Sequence, residues 1–149
     1  MPVASYTMPV NAPAELVWKL VRDSAEFPQR FAPGVAAVRV FDRDGNSWLR
    51  EMRLRDGVQR ERISVGEVSR TVTAELVDHP LYTGSVVSRV EVPGASATQR
   101  EPRLSFRMEW TARDGKEDGA AAAALSSALE RELLAVKRAA ELRAAQLAA

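Results

Sequence analysis

The 149-residue chain predicts one α+β domain, residues 1–149, in which an antiparallel sheet of six or seven strands curls around one long C-terminal helix. Three observations carry this expectation. Between residues 35 and 112 the apolar residues recur with a period of two, and turn signals separate the runs. From Ala120 to Ala149 there are 13 alanines and neither Gly nor Pro, while Leu125, Leu129, Leu133, Val136 and Ala140 repeat at helical spacing. Ahead of both stretches, one short strand leads into two short helices.

Residues 3–10 alternate weakly and read as a strand whose exit is marked by Pro9. Asn11, followed by Pro13 and Glu15, is a helix start, and Pro13, Leu16, Val17, Leu20 and Val21 share one face over residues 12–23. Trp18 lies beside that face. Residues 24–34 read as a second helical piece, broken by Pro28 and closed by Pro33-Gly34. Strands are expected at 35–43, 47–55, 58–66, 69–78, 84–92 and 103–112. Asp44-Gly45-Asn46 and Asp56-Gly57 mark hairpins, Gly66-Glu67 a split, and His79 to Gly84 a turn bracketed by Pro and Gly. Residues 93–102 form the longest loop, and Asp114-Gly115 ends the last strand.

The terminal helix is expected at about residues 118–147, with Glu130, Arg131, Lys137, Arg138, Glu141 and Arg143 on its polar face. Consecutive hairpins make a meander, and its apolar face needs a cover that only this helix can supply. The helix offers Ala and Leu, which are too small to fill a deep curve. A cavity between sheet and helix follows.

Composition narrows the function. With 21 basic and 20 acidic residues the net charge is +1, so no global field draws the chain to nucleic acid or an anionic membrane. The absence of cysteine excludes a disulfide scaffold, a thiolate nucleophile and thiolate metal ligands. The single histidine, His79, excludes multi-histidine metal sites. No window reaches the ~18 apolar residues of a membrane span, and the N-terminus lacks a signal-peptide pattern, so a cytoplasmic location is expected. No phosphate loop, nucleophile elbow or metal constellation is present, and no cofactor is expected.

The element order resembles the START/polyketide-cyclase superfamily (SRPBCC, pollen-allergen-like), whose fold is the helix grip. Val10-Asn11-Ala12-Pro13-Ala14-Glu15-Leu16-Val17-Trp18 resembles its opening, and Phe27-Pro28 to Pro33-Gly34-Val35 its second helix and second strand. Glu75 to Gly84, ELVDHPLYTG, resembles the AtaL-like branch. The resemblance implies an apolar ligand cavity. It does not choose an activity, because the superfamily includes carriers, receptors, cyclases and aromatases, and has no universal catalytic residue.

Candidate site residues follow from strand parity. Leu104, Phe106, Met108 and Trp110 share one face, as do Trp48, Arg50, Met52 and Leu54. Trp48, Met52, Phe106, Met108, Trp110, Leu125 and Leu129 are expected to line one pocket of a few hundred cubic ångströms, roughly the usual scale for small ligands. Arg50 has the parity of Trp48 and Met52, so it points inward or snorkels to the rim, and Glu61 or Glu75 is its expected partner. Glu75 has Ala74 and Leu76 competing for the inside. His79 and Tyr82 flank the Pro80 turn, where they serve either proton transfer at a cavity mouth or a surface turn. Tyr6 is a further candidate from the first strand, whereas Arg89, Glu91, Arg107 and Glu109 read as a solvated outer face. A one-residue slip in any strand turns these assignments over.

Two function classes remain open at this level. One is a cofactor-free cyclase/aromatase-type enzyme, lyase or isomerase, of bacterial secondary metabolism. It would use Arg50, Glu75, His79 or Tyr82 on a carbonyl-rich, polyketide-like molecule, with Glu61 at the ligand. The other is a non-catalytic carrier of a small hydrophobic or lipid ligand, and either would be a monomer or homodimer. If Arg50 serves a ligand, Arg50→Met is expected to abolish binding and leave folding intact.

Overall fold

The computed structural model describes residues 3–55, 57–94, 101–116 and 119–148. Asp56 of the second hairpin signal, most of the 93–102 loop, and residue 118 at the expected helix start lie outside the described residues. The described residues form seven strands: β1 (Val3–Pro9), β2 (Val35–Asp44), β3 (Ser47–Leu54), β4 (Gly57–Gly66), β5 (Thr71–Val77), β6 (Tyr82–Glu91) and β7 (Arg103–Ala112). They form one antiparallel sheet in the order β1-β7-β6-β5-β4-β3-β2, so β2 to β7 are a meander and β1 closes onto its far end. The sheet stays open, with β1 and β2 as its edges.

Two helices complete the domain, α1 (Ala14–Glu26) and α2 (Gly119–Ala148). At ~1.5 Å per residue, the 30 residues of α2 span roughly 45 Å. The expected second helical piece is a single 3₁₀ turn, Pro28–Arg30. Proline disfavours helical geometry in the residue before it, and Phe27 accordingly leaves the helix at φ −129°, ψ 61°. Hence α1 runs three residues past its expected end and stops at Glu26.

Burial follows the predicted parity. In β7, Leu104, Phe106, Met108 and Trp110 are buried while Arg103, Arg107 and Glu109 are exposed. Arg107 and Glu109 pair on that outer face at 2.8 Å. The inward residues of β4, β5 and β6, among them Ile63, Val72 and Val86, continue the core, which α1 enters through Val17, Leu20 and Val21.

The long helix is held unequally along its length. Leu133 at its middle and Val136 and Ala140 in its C-terminal half are buried, whereas Leu125 and Leu129 are only half-buried. Lys137 Nζ donates to the carbonyl of Pro9 at 2.7 Å, and the backbone N–H of Asn11 donates to Glu141 Oε2 at 2.8 Å. These contacts anchor the C-terminal half to the junction of β1 and α1. The N-terminal half is held more loosely, by half-buried Leu125 and Leu129 and by Ser126 against Tyr6 of β1, and the space opens beside it.

Candidate functional site

The space is a cavity of about 310 Å³ under the N-terminal half of α2. Its floor is β3, β4 and β5, through Met52, Ile63, Val72 and Ala74 among others. Val21, Ser24 and Ala25 of α1 form one wall, and Leu125, Leu129 and Leu133 of α2 form the roof. Pro33, Gly34, Ala128 and Arg131 line it and are also exposed, so they form the rim. Most of the lining is apolar, which is the usual character of a small-molecule site.

The fully buried charges of this lining lie at one place. Arg50 and Glu61 stand directly opposite each other across the β3–β4 hairpin, both buried. Arg50 Nη2 donates to Glu61 Oε1 at 2.5 Å. Arg50 Nη1 donates to the carbonyls of Ala25 at 2.9 Å and Ser24 at 3.4 Å, in the last turn of α1. A cation at that position also meets the negative end of the helix dipole. Arg50 therefore ties the sheet to α1 as well as facing the cavity. Its Nε is buried without a hydrogen-bond partner among the described residues.

The third charged group is Glu132 of α2, half-buried on the cavity wall. Burial raises its carboxyl from 4.5 to about 7; the positive charge of Arg50 opposes that rise and the negative charge of Glu61 adds to it. A carboxyl in this range holds and releases a proton near neutral pH.

Several expected site residues take other places. Met52, Trp110, Leu125, Leu129, Arg50 and Glu61 line the cavity. Trp48, Phe106 and Met108 are buried but lie in packed core outside the lining. Phe106 packs against Tyr6, ring centroids 5.1 Å apart, and Arg43 stacks over Trp48 at 4.6 Å. The hydroxyl of Tyr6 accepts a hydrogen bond from Ser126 at 3.0 Å. The cavity is thus centred on β3 to β5 rather than along β7.

Glu75 is exposed, because Val72, Ala74 and Leu76 take the inner parity of β5. Glu61, not Glu75, meets Arg50. His79 and Tyr82 are outside the lining. Their rings pack on each other and on Trp110, with centroids 5.5 to 5.9 Å apart, so they stand behind a cavity-wall residue. His79 Nδ1 accepts the backbone N–H groups of Leu81 and Tyr82, both at 3.1 Å. This closes the turn locally and leaves Nε2 as the protonated nitrogen of the neutral ring. Burial, with the nearby charge of Arg113, lowers the His79 pKa below 6.5.

Glu132 was not among the candidates read from the sequence. Its signal was available: it sits seven residues after Leu125, three after Leu129 and four before Val136, on the apolar stripe of the helix. An acid on that stripe is either a rim residue or a cavity group.

Among the described residues no helix is long and apolar enough to cross a membrane, and no group of three or more His, Asp or Glu side chains is arranged to hold a metal ion.

The open sheet gripping a long helix over a cavity is the helix-grip class of ligand-binding domain. The family model described as "Polyketide cyclase / dehydrase and lipid transport" matches residues 1–141, and the chain belongs to that family. Solved structures agree at the level of the fold. The Zhui aromatase/cyclase from Streptomyces sp. R1128 is 20% identical with a TM-score of 0.73, over 95% of this chain and 94% of that one. The protein XoxI from Bacillus cereus is 18% identical with a TM-score of 0.72, over 94% and 96%. The di-domain ARO/CYC StfQ from the steffimycin biosynthetic pathway is 17% identical with a TM-score of 0.75, over 96% of this chain and 51% of that one. No protein of curated function matches this chain.

Proposed function

We propose that the protein binds a carbonyl-rich, polyketide-like small molecule in the cavity and promotes its cyclisation, as a cofactor-free enzyme of the cyclase/aromatase type. The observation that carries this reading is Glu132, a carboxyl on the wall of an apolar cavity with a pKa of about 7. Cyclisation of a poly-β-ketone needs one group that removes a proton from the methylene between two carbonyls. It also needs an acid to return that proton to the oxygen of the carbonyl attacked by the new carbanion. The aldol hydroxyl then leaves as water with a ring proton, and enolisation of the remaining ring ketones makes the ring aromatic. A carboxyl titrating near neutrality serves both directions. The Arg50–Glu61 pair supports it by setting the local potential. The comparisons with aromatase/cyclase folds support the reading at family level. The Glu75–Gly84 segment is the basis for assigning the AtaL-like branch within the family.

A second reading, a non-catalytic carrier, is favoured by one observation. Glu75, His79 and Tyr82 are outside the lining, so among the described residues Glu132 is the one carboxyl there not in an ion pair with a cation. Glu132→Gln separates the two. With a soluble tetraketone as substrate and cyclised product followed by absorbance, the enzyme reading expects kcat to fall by about 10²–10⁴, with the substrate still bound. No turnover by wild type, with the tetraketone bound, would establish the carrier.

A further inference from the structure

The chemistry of the cavity also decides which ligands it refuses. Among the described residues four charged side chains line it: Arg50 from β3, Glu61 from β4, and Glu132 and Arg131 from α2. Arg131 is exposed at the rim. The residues facing the cavity from α1 are Val21, Ser24 and Ala25, and Pro28 follows from the 3₁₀ turn; none is charged. Inside the rim, then, there is one cation and there are two carboxyl groups.

That cation is already engaged. Arg50 donates to Glu61 Oε1 at 2.5 Å and to two carbonyls at the end of α1. Of its five N–H donors three are used in this way, and Nε is buried without a partner among the described residues. An incoming carboxylate would have to compete with buried Glu61 for a guanidinium whose charge Glu61 already balances, or lie in an apolar pocket without a counter-charge. It would also face the carboxyl of Glu132. Either route carries the desolvation cost of an uncompensated buried anion.

We propose that Glu132 is a specificity-determining residue that makes the cavity a charge filter: it donates a hydrogen bond to uncharged, carbonyl-bearing aromatic ligands and excludes carboxylates of the same shape. This deepens the binding reading above and rests on it. The filter has two consequences. Affinity for a neutral ketone falls as pH rises through the titration of Glu132, because the donor proton is lost and a bare carboxylate then faces the ketone oxygen. Carboxylate ligands are refused on both sides of that transition.

A near-isosteric pair tests the filter: 2-acetylnaphthalene, a neutral ketone, and 2-naphthoate, ionised throughout the range used. Dissociation constants are measured by calorimetry for the whole protein at about pH 6 and about pH 8, on either side of the Glu132 transition, with naphthalene as the uncharged reference. Wild type is expected to bind the ketone at least about tenfold tighter than the naphthoate at the lower pH, since an unpaired buried charge costs more than that factor. Ketone affinity should weaken several-fold at the higher pH. In Glu132→Gln, which keeps the shape and removes the titration, ketone affinity should become independent of pH and the penalty on naphthoate at the higher pH should shrink. The wild-type pH dependence stands whether or not the variant folds. Naphthoate binding as tight as the ketone, or ketone binding indifferent to pH in wild type, overturns the filter while leaving the cavity reading intact. Failure of all three probes to bind overturns both.

Discussion

Arg50→Met tests how the cavity wall is held together. Methionine keeps much of the apolar volume of the stem and removes the charge. In the folded protein this leaves Glu61, 4% exposed, without its cation, and leaves the carbonyls of Ser24 and Ala25 without their donor. Removing one partner of a buried ion pair typically costs about 3–5 kcal/mol. The two carbonyls bring the cost toward the upper end of that range, because charged donors are stronger than neutral ones. For a domain of this length the change corresponds to a fall in melting temperature of roughly 10–15 °C. These contacts argue against the expectation that the substitution spares folding, because Arg50 ties the sheet to α1. The assay is urea denaturation of wild type, Arg50→Met, Glu61→Met and the double variant. Each single change should be strongly destabilising, and the double variant should lose much less than the two losses added, because no charge is then left buried alone. Additive losses, or an Arg50→Met variant within about 1 kcal/mol of wild type, would falsify the coupled-pair account.

Four other outcomes are expected. Gly84 has φ +132°, and a Cβ there would lie 1.9 Å from the carbonyl oxygen of Glu109, so Gly84→Ala should cost about 2–4 kcal/mol by the same denaturation. Glu132 has a folded-state pKa raised from 4.5 to about 7, so the native state holds the extra proton between those values; stability should fall as pH rises across that window, and Glu132→Gln should flatten the slope. His79 has a folded-state pKa below 6.5, so its contribution is present above 6.5 and is lost as pH falls through that value toward its folded pKa. His79→Asn, which retains an acceptor for the two turn N–H groups, should remove that slope in melting curves while keeping most of the stability. Finally, neutral Nile red should bind and quench the fluorescence of cavity-lining Trp110, and Leu129→Trp, which fills the roof, should weaken that binding about tenfold or more; undiminished binding would move the ligand elsewhere.

Much of this architecture was legible along the chain because it rests on local rules. Alternation has a period of two, and one face of each strand had to be apolar, so the inner parity of β3 and β7 could be read directly from Trp48, Met52, Phe106 and Trp110. Even the inward direction of Arg50 followed from that parity. Its partner was narrowed only to Glu61 or Glu75. Strands at 47–55 and 58–66 would set Arg50 opposite Ile63; because Gly57 belongs to β4 and pairs with Leu54, the register moves by two and sets Arg50 opposite Glu61. A turn residue that joins a strand is decided by the whole hairpin, where its φ of +141° is accommodated.

The position of the cavity was beyond local reading for a related reason. The same Leu and Ala repeat runs the length of α2, yet only its C-terminal half is buried against β1 and α1, through contacts spanning more than a hundred residues of sequence. How far the other half stands from the sheet determines whether Glu132 meets bulk water or an enclosed apolar space. That distance is set by the curl of seven strands and the anchoring of one helix end, so the ionisation of Glu132 is a property of the assembled fold. Glu132 was visible in the sequence as an acid on an apolar stripe, and only the packing around it raised its pKa to about 7.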